Sequence, residues 1–375
     1  MDTTLIAVDL AKDVIELACA NRAGRIVARH RLNRKQFHSF FVQHTPVNVV
    51  IEACGMAHHW ARELGGLGHT IRLLPAQYVR AYRRRNKTDR NDAAALLEAA
   101  RNTEILPVPV KSVEQQCIQT LHRLRAQWMA TRTARINALR GLLRELGYPL
   151  PVGALTALRG ARACRDQLPD ILQPAIDQLL DEIAQLETRA LAIERILAQH
   201  ARNSESVQQL LSVPGIGLLT ATALSASAGS ADHFRNGRHL AGWLGLTPKE
   251  YSSGNRRHLG GISKRGDSYV RMLLIHGARA VLNRAKQLAK LGKTLSRLQH
   301  WVITLEQRVG HNKAAVGLAN KLARIAWAEP PRVSWRLFSL SIRQQACPSR
   351  RAAASSLPQL RPAGYIRSAP AVARG

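Results

Sequence analysis

The first hundred residues switch between strand and helix periodicity in a fixed order, and that order limits the fold more than any other feature of the chain. Thr4 to Leu10 (TLIAVDL), Val14 to Ala20 and Arg25 to Leu32 read as three short strands joined by tight turns, the second turn carrying Gly24. A helix is predicted from Lys35 to about Gln43. Val47 to Ile51 is short, apolar and β-branched, as expected of a buried parallel strand. A helix over 57–66, a strand over 70–74 and a helix from about Asp89 to Arg101 complete the series.

Three strands in a meander followed by βαβα is the order of a ribonuclease H-like (RuvC-like) domain, assigned to 1–110 within an α/β plus α chain. A long helix is predicted from Val113 to Leu146, with Arg123, Arg125, Arg132, Arg135, Arg140 and Arg144 spread along it. Gly147-Tyr148-Pro149 ends it, since proline excludes the α region from the residue before it. A second helix runs from about Ile171 to His200. Its apolar positions Leu172, Ile176, Leu179, Ile183, Leu186, Ala190, Ile193 and Leu197 alternate steps of four and three. The two segments are expected to form an antiparallel coiled-coil arm (111–205), paired within the chain or between chains.

A third, mainly helical region is assigned to 206–329. Short helices at Ser206 to Ser212 and Leu218 to Ser227 flank the turn Val213-Pro214-Gly215-Ile216-Gly217, the pattern of a helix-hairpin-helix. Gly215 and Gly217 would let backbone N–H groups approach a phosphate at the second helix's start; an ordinary αα-hairpin fits the same residues. Residues 330–375 hold no acid and show no periodicity, so a disordered basic tail is expected.

Charge then narrows the partner. With 55 Lys and Arg against 25 Asp and Glu, formal net charge +30 in 375 residues, the chain calls for a polyanion, and nucleic acid is the default. The five cysteines, Cys19, Cys54, Cys117, Cys164 and Cys347, show no CxxC spacing, which argues against a zinc ribbon or disulfide framework and fits a reducing cytosol. Residues 1–30 lack signal-peptide features, and no apolar run reaches membrane-spanning length, so the expected location is cytoplasmic and nucleoid-associated, without membrane.

Against that charge, the acids inside Lys87-Thr88-Asp89-Arg90-Asn91-Asp92, just after Arg80, Arg83, Arg84 and Arg85, need a reason. Carboxylates at i and i+3 share one side of a helix's first turn. Taken alone they could complement the helix dipole or pair with the arginines. Asp9 ends the first strand and Glu52 follows the fourth, however, and functional groups gather at such strand ends. Four carboxylates converging from separate elements would repel one another severely unless divalent cations filled the spot. Hard oxygens without a His or Cys cluster suit Mg²⁺, and two such ions can clamp the attacking and leaving oxygens of a phosphodiester. Each acid also has a structural explanation of its own: Asp9 as a turn cap, Glu52 as a surface charge, Asp13 as a solvated neighbour.

A second candidate is Gly245-Leu246-Thr247-Pro248-Lys249-Glu250-Tyr251-Ser252-Ser253-Gly254, followed by Arg256, Arg257, His258 and Ile262-Ser263-Lys264-Arg265-Gly266. A serine among cations could attack a phosphate, or its loop could only clasp one; the residues leave both readings open. After Ser253 only Asp267, Glu306 and Glu329 are acidic. His58 and His59 are adjacent on a helix, so their rings diverge. Trp243, Trp301 and Trp327 are expected to fill helix cores rather than stack bases.

The chain resembles the DEDD-type insertion-sequence transposases, the bridge-RNA-guided recombinases with a RuvC-like N-terminal domain and a C-terminal transposase domain. The resemblance rests on Asp9-Leu10-Ala11-Lys12-Asp13, Glu52-Ala53-Cys54-Gly55, Lys87 to Ala93, Pro214-Gly215-Ile216-Gly217, Gly245-Leu246-Thr247-Pro248 with Ser253-Gly254, and Ile262 to Gly266, in that order over residues 5 to about 328. It implies that Asp9, Glu52, Asp89 and Asp92 bind the Mg²⁺ ions and that Ser253, beside Ser252, is the nucleophile of a covalent phosphoserine link. It implies donor and target DNA, a non-coding guide RNA and a homo-oligomer, dimer or tetramer, as partners. Arg83, Arg84, Arg85, Lys87, Arg256, Arg257, Lys264 and Arg265, with Gly215 and Gly217, would then contact nucleic acid. The rival readings are a junction-resolving nuclease that uses water, and a non-catalytic nucleic-acid-binding protein.

Overall fold

The structure is a computed structural model and describes residues 3–83 and 88–328. The contacts expected of Arg84, Arg85 and Lys87, and the disorder expected of 330–375, lie outside those residues. The N-terminal part is a five-stranded mixed sheet in the order β3-β2-β1-β4-β5, built from β1 (Leu5–Leu10), β2 (Ile15–Ala20), β3 (Ile26–Leu32), β4 (Asn48–Glu52) and β5 (Thr70–Leu74). The meander β1-β2-β3 is antiparallel, whereas β1, β4 and β5 run parallel. Each strand falls within about a residue of its predicted bounds.

Alternation along the strands divides the two faces. Ile6, Val8, Val49 and Ile51 are buried against α1 (Arg34–Gln43) and α2 (Ala57–Gly66), where Phe37, Phe41 and Trp60 pack edge to face. Ala7, Ala18 and Val50, on the opposite face, meet Ala93, Leu96, Leu97 and Ala100 of α4 (Asp89–Arg101), which follows the short α3 (Ala76–Val79). Small residues on both sides let α4 lie close to the sheet. Thr88 caps α4 by accepting from the Asn91 amide, so the helix starts at the acidic pair.

Two long helices follow. α5 (Val113–Glu145) begins with a reciprocal capping box between Ser112 and Gln115, and α7 (Gln173–Asn203) returns alongside it. Ion pairs Arg125–Glu194, Arg132–Glu187 and Arg135–Glu182 run with opposite numbering, so the two helices are antiparallel and pair within the chain. Three of the arginines expected to be strung along a cationic helix are therefore occupied in holding the hairpin. Of the predicted stripe, Ile176, Ile183, Leu186, Ala190, Ile193 and Leu197 are buried; Leu180 is buried where Leu179 was expected, and Leu172 precedes the helix. The shift has a cause in α6 (Ala154–Ala163), which no sequence signal announced. Its Ala157, Leu158 and Ala161 pack with Leu139, Leu143 and Leu180, widening the covered face near the tip.

The remaining helices share one core: α8 (Glu205–Leu211), α9 (Leu218–Ala228), α10 (Gly237–Trp243), α11 (Ser268–Lys290), α12 (Arg297–Val309) and α13 (His311–Ala328). Val270, Leu274, Ala278 and Leu282 of α11 meet Leu318, Ala319 and Leu322 of α13. Between α10 and α11 stands a two-stranded antiparallel hairpin, β6 (Pro248–Glu250) and β7 (Leu259–Ile262).

Candidate active site

The pairing of β1 with β4 aligns Val8 with Ile51, which sets Asp9 and Glu52 next to each other at the C-terminal ends of parallel strands. Both follow the parity of Ala7 and Val50, so both point to the α4 face. There they meet the start of α4, with Asp89 and Asp92 in its first turn. The consequence registers at Asp9, whose carboxyl is pushed up to about 6 by burial first and then by the charges of Asp92, Asp89 and Glu52, with Arg83 opposing. Acids from three separate places in the sequence, Asp9, Glu52 and the pair Asp89 and Asp92, therefore come within electrostatic range at Asp9. Cys54, two residues after Glu52, is pushed up to about 11 by burial and then by Glu52 and Asp9.

Arg83 departs from expectation. Predicted to face nucleic acid, it instead sets its Nε 2.5 Å from Asp92 Oδ1, with both side chains mostly covered. A cation at this point offsets part of the repulsion among the acids. Among the described residues no three acid, His or Cys side chains stand in ready ligand geometry. The donor set itself, four carboxylates without a histidine, has the hardness and charge that suit Mg²⁺.

At the other candidate the structure corrects the picture of a plain loop. Ser253 lies at the tip of the β6–β7 hairpin, exchanging backbone hydrogen bonds with Arg256 (3.2 and 3.1 Å). Gly254 takes a positive φ of 54° at the first turn position, the pattern of a type II′ turn. The neighbouring serines differ. Ser252 Oγ donates to Glu250 Oε1 (2.7 Å) and accepts from the His258 amide (3.3 Å). Ser253 is exposed, and its hydroxyl has no hydrogen bond among the described residues. Arg257 pairs with Glu250 (3.3 Å) in an exposed position, leaving Arg256 beside the Ser253 tip.

Lys264 and Arg265, both exposed, are held close to this hairpin by backbone packing. A Cβ on Gly245 would come within 2.2 Å of Arg265 O, and one on Gly266 within 1.9 Å of Trp243 O. The buried guanidinium of Arg271 donates to Leu244 O and Arg265 O, at 2.9 Å each. The Gly215 turn is partly committed to packing: a Cβ on Gly277 of α11 would sit 1.9 Å from Gly215 O. Gly217, by contrast, is exposed and starts α9 without a side-chain cap, so amide donors there remain open to a ligand.

Sequence reasoning missed a polar chain that links α2 and the segment before α5 to α9 and the start of α11. Lys111 receives a hydrogen bond from Arg62 of α2 on its carbonyl, and its amide donates to His58 Nδ1. Its Nζ donates to Gln119 Oε1 (3.1 Å), Gln119 Nε2 to Ser227 Oγ (3.1 Å), and Ser227 Oγ to Asp267 Oδ2 (2.8 Å). Asp267 also caps α11, directly after the 264–266 loop. Nearby, the buried His122 bonds Thr222 of α9 and Tyr269 of α11. Burial, then Lys111 and Arg62, lowers His58 to about 4; burial, then Arg125, lowers His122 to about 4, so both are neutral joints at pH 7. Asp267 carried one signal, as a rare acid in a cationic stretch; Gln119 and Ser227 carried none.

Acids gathered at the end of a sheet, combined with a cationic serine hairpin on a helical platform, place the chain in the class of enzymes that act on DNA strands. Comparisons with known proteins give the class a name. A family model described as a transposase matches residues 6–148, and one described as the transposase IS116/IS110/IS902 family matches residues 207–292. The "Probable family 20 transposase" of Pseudomonas aeruginosa is 44% identical over 339 residues, covering 88% of this chain and 97% of that protein. The transposase for insertion sequence element IS1111A of Coxiella burnetii is 40% identical over 87% of this chain and 89% of its own length; that for IS1328 of Yersinia enterocolitica is 34% identical over 87% and 96%. The chain belongs to the IS116/IS110/IS902 transposase family and is a DNA transposase. Among its described residues no helix is long and apolar enough to cross a membrane.

Proposed function

We propose that the chain cuts and rejoins the DNA of an insertion sequence by a serine-linked transesterification assisted by Mg²⁺. The observation that carries the reading is the geometry that sets Asp9 beside Glu52 at the C-terminal ends of β1 and β4, on the sheet face that meets α4 with Asp89 and Asp92 in its first turn. The strand order β3-β2-β1-β4-β5 with α4 across it supports a ribonuclease H-like domain, α5 and α7 support a coiled-coil arm, and α8 and α9 support a helix-hairpin-helix. Asp9, Glu52, Asp89 and Asp92 would hold Mg²⁺, which would supply charge neutralisation at the scissile phosphate and the leaving oxygen. Arg83, paired with Asp92 here, would have to give up that carboxylate for it to serve as a ligand.

Ser253 Oγ gives up its proton and forms a bond to phosphorus as the strand's P–O ester bond breaks, leaving a phosphoserine ester and a free hydroxyl end. Attack by a hydroxyl of the partner strand reverses the exchange, so the ester energy is kept for rejoining. Arg256, Lys264 and Arg265 neutralise the phosphate during the attack. An unbonded hydroxyl on an exposed tip favours Ser253 over Ser252, whose hydroxyl is engaged by Glu250. Target choice by an element-encoded RNA, assembly as a homo-oligomer that joins one subunit's acids to another's serine, and a cytoplasmic, nucleoid-associated location complete the proposal. The reading is tested with labelled insertion-end DNA, RNA transcribed from the element and protein, with and without Mg²⁺: cleavage must need the ion and vanish in Asp9→Asn. Full cleavage by Asp9→Asn in chelator would reject it.

A further inference from the structure

Two of the aromatic residues that the sequence assigned to helix cores have a second side. Trp301 of α12 and Trp327 of α13 pack partly against the C-terminal core, yet both line a cavity of about 750 Å³ closed on its far side by the start of α10. Arg238, Lys321 and Arg324 line the same cavity, and among the described residues no Asp or Glu does. Lys321 Nζ sits 3.9 Å over the Trp301 ring, so cation and indole form one unit at the wall. The Trp327 ring is fixed by donation from its Nε1 to Phe234 O (3.2 Å) and Ala231 O (3.3 Å). A Cβ on Gly237 would lie 3.0 Å from the backbone of Arg324, so α10 is pressed directly against α13 and the wall is rigid.

We propose that this cavity binds a single-stranded nucleic acid segment, taking an unpaired base against the tryptophans and its flanking phosphates against Arg238 and Arg324. The composition selects that ligand. A free inorganic anion has no use for two indoles, and an apolar ligand has none for three cations without a counter-charge. Aromatic faces beside cations are the combination by which proteins hold single strands. The volume falls within the range of pockets that enclose a small ligand, about 300–1,000 Å³, and so admits one or a few nucleotides but not a helix. Bases stacked inside a duplex cannot reach an indole at such a wall. The site lies on α10, α12 and α13, its lining includes none of the four acids and no residue of the β6–β7 hairpin, and the proposal stands whether or not Ser253 is the nucleophile.

The test uses the full chain and two probes, a single-stranded RNA and a single-stranded DNA 12-mer of one sequence bearing 5-iodouracil. Irradiation followed by peptide mapping is expected to place a crosslink on Trp301 or Trp327. Crosslinking of RNA alone or of both strands supports the site and tells the source. In anisotropy titrations, Arg238→Ala/Arg324→Ala is expected to weaken binding about tenfold and to lower the salt slope by about 2. Arg159→Ala/Arg162→Ala, which removes the same charge from exposed positions on α6, is the control and is expected to change binding far less. All four substituted arginines are exposed, so folding is expected to persist and is checked by a cooperative melt. Crosslinks confined to the arm or the β6–β7 hairpin, or equal losses in the two double variants, would overturn the proposal. Because binding alone is read, the Ser253→Ala protein gives the same answer, and failure of the cleavage chemistry cannot be mistaken for failure of this site.

Discussion

Asp9 and Glu52 stand on neighbouring strands whose backbones are hydrogen-bonded within a five-stranded sheet, while Ser253 stands at the tip of a two-stranded hairpin in which every residue from 251 to 260 is exposed. The contrast fits the proposed roles. Carboxylates that repel one another stay together only on a scaffold that keeps them from parting, and Asp9 is pushed up by burial and then by its acidic neighbours. On the proposed reading, a serine that meets a bulky polyanion gains from exposure and from the cations around it. Between them in the sequence, the Lys111–Gln119–Ser227–Asp267 chain and His122 hold the segment before α5, and α5 itself, to α9 and α11.

The sharpest way to break the contrast is Asp9→Asn. Removing one of four like charges is expected to cut strand cleavage by about a thousandfold or more, while the protein without metal becomes more stable, by about 1–2 kcal/mol, as burial and repulsion are relieved. Calorimetry beside a gel-based cleavage assay reads both. At the serine end Ser253→Ala should leave stability unchanged, since its hydroxyl supports nothing.

Acidification probes the His122 joint between α5, α9 and α11. His122 is lowered to about 4 from an ordinary 6.5, so the folded chain binds this proton less well than the unfolded one. The stability it contributes is complete above pH 6.5 and is lost as pH falls to about 4, up to about 3 kcal/mol for such a shift. Arg125 and Asp267 face it with opposite effects, and burial outweighs both. A melting series from pH 7 to 4 should show the loss, and His122→Gln should show less of it.

Smaller effects follow. Gln119→Leu leaves Lys111 Nζ and the Ser227 hydroxyl without their bridging partner, expected to cost about 1–2 kcal/mol and to lower strand transfer more than DNA binding. Equal losses of both would make the chain structural only. Least of all, Glu182→Gln removes an ion pair whose two side chains are 45% and 42% exposed, and should cost well under about 1 kcal/mol.

Much of the N-terminal half was legible because each strand is short, apolar and punctuated, and because Asp9, Glu52, Asp89 and Asp92 fall where a strand ends or a helix begins. The Arg83–Asp92 pair was not, since a sequence does not say which of four neighbouring arginines turns inward. The hairpin carrying Ser253 was read as a loop because Tyr251 to Gly261 lacks alternating apolar residues; its strands are exposed on both faces. α6 escaped notice among Pro151, Gly153 and Gly160, and its packing moved the buried stripe of α7 from Leu179 to Leu180. The joining polar chain links residues 111, 119, 227 and 267, a separation at which no local pattern exists.

The central claim, that an exposed serine on one element works with acids held on another, is tested most directly by trapping protein on DNA. Parent protein, Mg²⁺, the element's RNA and end-labelled DNA are expected to give an adduct that survives denaturation, retained in Ser252→Ala and absent in both Ser253→Ala and Asp9→Asn. An adduct of undiminished yield from Ser253→Ala, or cleaved DNA with free ends and no adduct from the parent, would contradict it.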